Sequence, residues 1–297
     1  MNKLSYNKIS DKQKGIIYVL ISAVIFGSMP LMADIVYKNN GNSITLTLLR
    51  FLLSTPILFF LAKRNKNESI KITKSELFKI SLVGILGYCA TALLLYTSYN
   101  YISTGTATTL HFIYPVLVIM GGIIFFKEKP SLVKYVSAVL CVAGILMFYN
   151  GDSNVNILGM LIAFSSGVTY TFYILFIEKS QLKNLGTYKL TFYLCIISSV
   201  VLLIVCVLTD SLALNMTYKG WLMSLVLSIS VTLGGVCLFQ KGIKLIGSQS
   251  TSILSTFEPI TSILIGILIF NESFDIKTVL GFIFIIIATI LIAVFEK

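Results

Sequence analysis

HFIYPVLVIMGGIIFFKEKPS, residues 111–131, and STFEPITSILIGILIFNESFD, residues 255–275, are two versions of one segment. Set against each other with a shift of 144 residues, they align from Leu110–Glu128 to Leu254–Glu272 without a gap. The identities are Leu110/Leu254, Pro115/Pro259, Ile119/Ile263, Gly122/Gly266, Ile123/Ile267, Phe126/Phe270 and Glu128/Glu272. Shared apolar composition explains the isoleucines but not the Pro, Gly and Glu at fixed offsets. The same shift pairs Gly15 with Gly159, so the whole chain reads as a duplication.

Both segments are apolar runs of the length that crosses a hydrocarbon core of about 30 Å at ~1.5 Å per residue. Working outward, similar runs fill the chain: Gly15–Tyr37, Ser43–Ala62, Leu77–Tyr99, Thr104–Phe126 and Ser131–Tyr149, then Ile157–Lys179, Tyr188–Leu208, Gly220–Gly242, Ser250–Phe270 and Ile276–Phe295. They are called spans one to ten below. With 56% hydrophobic and 12% charged residues in 297 positions, the chain has too much apolar surface for the interior of a soluble fold. The runs are too continuous for barrel strands, which alternate polar and apolar over about ten residues. The first run exceeds the ~7–15-residue core of a cleaved signal, and no small-x-small site follows it. The expected fold is all-α and integral to the membrane.

Charge sets the expected orientation. With the N-terminus inside, nineteen lysines and arginines fall in inner segments. Only Lys38, Lys219 and Lys277 fall in outer ones, with Arg50 inside span two. The positive-inside rule then puts both termini in the cytoplasm and the loops around Asp152 and Asp210 outside. The net charge of +11 is thus a topology and lipid-contact signal, with no nucleic-acid partner expected. Five helices per copy is an odd number, so the second copy enters from the opposite face. Lys127-Glu128-Lys129 accordingly becomes Asn271-Glu272-Ser273, which keeps the glutamate and drops both lysines. The chain divides into a cytoplasmic tail, 1–14, a first repeat, 15–150, and an inverted second repeat, 151–297. Inverted repeats are a recurring plan of secondary transporters, with the site near the midplane between the halves.

The duplication, the mid-span Pro, the later Gly and the terminal Glu resemble the drug/metabolite transporter superfamily, EamA type. The resemblance covers Gly15 to Phe295. It implies ten helices around a central cavity lined by helices 1, 3, 4, 6, 8 and 9, with the fifth and tenth peripheral. Spans one and six lack the tryptophan often found there, reading AVIFGSMP and SSGVTYTF, so Phe26 and Tyr170 are expected to supply the aromatic contacts.

A charged group at mid-membrane costs at least ~2.5–3.5 kcal/mol on insertion scales, so each needs a reason. Glu258 lies mid-depth in span nine beside Pro259, on a stripe with Thr251, Ser255 and Ser262. It could bind a proton or an ammonium group, or be a hydrogen-bonded structural residue. His111, the sole histidine, has Ser255 as its repeat counterpart; Tyr114 is the counterpart of Glu258. The two clusters are expected to face one cavity, with His111 either relaying protons or simply hydrogen-bonded. Tyr88, Tyr96 and Tyr99 on span three, Tyr170 and Tyr173 on span six, and Gln240 on span eight complete the substrate-binding candidates. Arg50 is read as structural, Asp34 as an entrance or pairing residue, and Glu128 and Glu272 as structural residues that cap or pair at the beginning of the helices that follow.

No GxSxG, HExxH, Walker A or cysteine cluster is present, so neither an enzyme nor a metal or cofactor site is expected. The five cysteines read as small core residues. The expected function is secondary transport of small organic metabolites, such as amino acids or amines, with export favoured over import. Partners are the small-molecule substrate, with or without protons, and membrane lipids; the protein is a monomer or homodimer. A non-transport scaffold or receptor and a facilitative, channel-like uniporter are the alternatives.

Overall fold

The computed structural model describes residues 10–64, 69–102, 104–147, 156–270 and 276–295. Among these residues the backbone is helical between short connections, and seven helical stretches are long and apolar enough to cross a membrane. The last, Tyr218–Leu254, is two spans in one run, reversed at Gly247 with φ +77°. Shorter apolar helices, Leu132–Met147 and Ile276–Phe295, supply spans five and ten, and Phe257–Phe270 completes span nine. The chain is therefore an all-α membrane protein of ten spans.

Local chemistry sets the starts. Ser10 and Gln13 form a reciprocal capping box on the first helix, which begins at Asp11, four residues ahead of the expected Gly15. Thr73 and Glu76 do the same for span three, and Asn42, Asn156 and Thr217 cap spans two, six and eight. Four of the five prolines sit within the first three residues of a resumed helix. Span one breaks before Met29–Tyr37, span two before Thr55–Arg64, span four before Tyr114–Phe126 and span nine before Phe257–Phe270. Proline lacks the N–H for the bond to the preceding turn and its ring crowds the carbonyl there, so each span bends where its proline falls.

The duplication persists in three dimensions. Spans two and seven start at Ser43 and Thr187, three and eight at Lys74 and Tyr218, five and ten at Leu132 and Ile276, each pair 144 residues apart. Spans three and eight each contain a wide π-helical stretch, beginning at Gly84 and Ser228, again 144 apart. Contacts are reciprocal: span one packs on eight and nine, span six on three and four. Spans two and seven meet each other, as do five and ten. That exchange is the signature of a two-fold relation, and with five spans per copy the copies run inverted. Small residues allow the close crossings: a Cβ added to Gly242 would lie 2.3 Å from the Val19 side chain. All five cysteines are buried and unpaired, as expected of core residues.

Candidate functional site

The helix breaks and wide turns converge on a central cavity with about 520 Å³ of empty space. Its wall is built from repeat-related pairs: Phe26 and Tyr170, Met29 and Tyr173, Ala92 and Val236, Leu95 and Phe239. Tyr88, Thr91, His111, Arg50 and Glu258 complete it. Spans one, three, four, six, eight and nine line the cavity as expected, and Phe26 and Tyr170 do supply aromatic surface there. Spans five and ten take no part.

Span two is the correction. Arg50 was expected to be structural on a helix outside the cavity, yet its guanidinium lines it. The residue is only 5% exposed, held beside the Tyr96 hydroxyl at 3.4 Å and over the rings of Phe51 and Tyr96. The signal was in the sequence, an arginine within an apolar span, but the helix-lining pattern of the resemblance outweighed it.

The ten binding candidates divide. Glu258, His111, Tyr88, Tyr170 and Tyr173 face the cavity. Tyr170 stacks on Tyr173 at 5.7 Å, and Tyr173 on Tyr88 at 5.5 Å, giving a continuous aromatic wall. The other five stand behind it. Tyr96 touches Arg50, and Tyr99 packs edge-on against Tyr96. The amide nitrogen of Gln240 donates to the Tyr173 hydroxyl at 2.9 Å, while its oxygen accepts from Thr191. Tyr114 and Ser255, both fully buried, are hydrogen bonded to each other.

The supporting bonds set directions. The Ser166 hydroxyl donates to the Ala163 carbonyl at 2.6 Å, so at 2.8 Å it must accept from Nδ1–H of His111. Nε2 is thereby left as the acceptor of the ring. The polar stripe of span nine is not one face, because the helix breaks between Leu254 and Phe257. Thr251 lies on the segment before the break and Ser255 in the break itself; the Thr251 hydroxyl is buried without a partner, and Glu258 alone of the four reaches the cavity. Its carboxylate makes no ion pair or side-chain hydrogen bond among the described residues, although it lies within electrostatic reach of Arg50.

Polar contacts tie spans four, six and nine together at one end of the bundle. Glu128 was expected to cap or pair at the beginning of the helix that follows; Ser131 does the capping there, accepting from Lys134 N. Glu128 instead pairs with Lys179 of span six and accepts from Gln249 at 2.6 Å. Ser248 donates to Glu178 beside it. Its repeat partner Glu272 lies outside the described residues, as does Asp152. Asp34 pairs with Lys38 at 2.7 Å.

The model of the EamA-like transporter family matches residues 13–150 and again 157–294. The chain belongs to the EamA-like transporter family. Like its relatives it is a multi-pass membrane transporter within the drug/metabolite superfamily. An uncharacterized transporter of Clostridium kluyveri is 23% identical over 94% of this chain and 93% of its own length. The uncharacterized inner membrane transporter YicL of Salmonella typhimurium is 25% identical, covering 96% of this chain and 97% of its own. UDP-galactose/UDP-glucose transporter 7 of Arabidopsis thaliana is 24% identical over 74% of this chain and 70% of its own. A solved crystal structure superposes with a TM-score of 0.78 at 14% identity, covering 94% of this chain and 96% of that one, and so shares the fold.

Proposed function

We propose that this transporter moves small organic solutes bearing a cationic group, amines and amino acids among them, by alternating access and with export as its main direction. The observation that carries the reading is the carboxylate of Glu258, unpaired in a cavity walled by Tyr88, Tyr170 and Tyr173. A carboxylate framed by tyrosine faces suits an ammonium group, through charge and through the ring quadrupoles. The same carboxylate can exchange a proton, which would couple flux to a pH gradient. The repeats 15–150 and 151–297 serve as the two units that rock about the site, as in other inverted-repeat transporters. Both termini are cytoplasmic in this reading, with the tail 1–14 contributing its last residues to the first turn of span one. The Glu128–Lys179 tie then closes the cytoplasmic side, so the conformation has its inner end sealed. The chain acts as a monomer or homodimer.

The test is flux into proteoliposomes of the purified protein, screened over amines and amino acids with and without a pH gradient. Gradient-stimulated flux of a cationic or zwitterionic solute that disappears in Glu258→Gln is the expected result. Absence of flux for every amine and amino acid overturns the cationic-solute reading. Glu258-independent flux removes the carboxylate from the site.

A further inference from the structure

The wall of the cavity is nearly two-fold symmetric; its charges are not. Phe26, Met29, Ala92 and Leu95 each line the space together with their own repeat counterparts. Arg50 has Leu194 as its counterpart and Glu258 has Tyr114. Each half therefore contributes one charge that the other lacks, and the two are of opposite sign.

Resting on the reading of this cavity as the transport site, we propose that it is a bipolar site for zwitterions, in which Arg50 takes a carboxylate and Glu258 an ammonium group. Arg50 and Glu258 line one cavity without an ion pair between them. The Nε–H of Arg50 is buried and has no hydrogen-bond partner. The Tyr88 hydroxyl, also buried on this wall, has none either. A guanidinium presents its donors in a flat fork that matches a carboxylate, and the unused Nε–H is a half of that fork that no described group fills. Two opposite charges kept apart where water is scarce are each costly, and a ligand carrying both complementary charges satisfies them together. A simple amine leaves Arg50 unmet, and a simple acid leaves Glu258 unmet. The aromatic and aliphatic wall of this space suits an apolar side chain.

The test compares molecules differing only in one charged group. L-phenylalanine, phenethylamine and 3-phenylpropionate form one set; L-leucine, isoamylamine and 4-methylpentanoate form another, with a mixture of the twenty common amino acids as a third arm. Binding is read as thermal stabilisation of the purified full chain and as counterflow in proteoliposomes. The expected result is that an amino acid binds at least about tenfold better than its matched amine or acid, the margin of one charge-assisted contact. Arg50→Gln should bring the amine level with the amino acid, and Glu258→Gln should bring the acid level. Arg50→Lys, which keeps the charge without the fork, should retain part of the preference. Because each comparison is a ratio within one variant, loss of folded protein does not imitate the effect.

The proposal is overturned if the matched amine binds as well as the amino acid in the wild type, if no amino acid in the mixture binds, or if Arg50→Gln leaves the ratio unchanged. Should amines be carried in a manner dependent on Glu258 while Arg50 is indifferent, the cationic-solute reading stands and the bipolar site alone falls. Amino-acid transport that ignores Glu258→Gln sinks both.

Discussion

The hydroxyl of Tyr114, in the first half of the molecule, donates to Ser255 in the second. The direction follows because the Ser255 hydrogen is already given to the Ser252 carbonyl at 2.8 Å. Both residues sit at the helix breaks of their spans, so the bond fastens one discontinuity to the other.

Ser255→Ala strands the Tyr114 hydroxyl in a buried place and should cost about 1–3 kcal/mol, the penalty of an unsatisfied polar group. Tyr114→Phe removes donor and demand together and should cost about 1 kcal/mol. Thermal unfolding in detergent measures both, and the double variant should be no worse than Ser255→Ala alone. Additive losses would show that the two residues do not meet.

Glu258→Gln should abolish gradient-driven flux and leave insertion and fold intact, since shape is retained and the carboxylate holds no ion-pair or hydrogen-bond partner among the described residues. His111→Ala should reduce flux by a smaller factor. Its Nδ1–H is spent on Ser166, and the ring mainly supports Tyr170, 5.4 Å away. Equal losses in the two variants would assign His111 a direct share in coupling.

For topology, Asn215 and Asn184 are both exposed, on the connections before span eight and before span seven. In a cysteine-free background, a cysteine at Asn215 should react with impermeant reagent applied outside, and one at Asn184 should not. The reverse labelling would invert the assignment of both termini.

Gly247 turns span eight into span nine in a single residue at φ +77°, a conformation that a Cβ makes strained. Gly247→Ala should therefore lower stability by about 1–3 kcal/mol, because φ +77° with ψ 168° is a region essentially reserved for glycine. Gly247→Asn should do no less harm, since this is not the left-handed helical region that asparagine tolerates. An alanine variant as stable as the wild type would mean that the connection can relax into another turn.

The ten spans and their inversion were legible because each is written in a local or periodic signal, while the cavity-lining set was implied by the family resemblance. Apolar length sets the spans, and the 144-residue shift shows the duplication. The odd count of spans per copy then fixes the inversion. Pro115 and Pro259 announced the breaks, since a missing N–H acts on its own turn whatever surrounds it. Glu258, His111, Tyr88 and Tyr170 could be nominated as polar groups without an excuse in an apolar run.

What the chain alone could not decide is which polar groups meet each other and which meet the cavity. Tyr96, Tyr99 and Gln240 look like Tyr88 in sequence, but the π-helical stretches at Gly84 and Ser228 reset the faces of spans three and eight. Tyr114 and Ser255 consume each other only because the halves bring two breaks together. Arg50 enters the cavity because span two leans inward against spans seven and eight, a matter of helix packing rather than of residue type. Composition and period are properties of a chain, and they settle solvent and secondary structure; partnership across 100 or 200 residues exists only once the helices are packed.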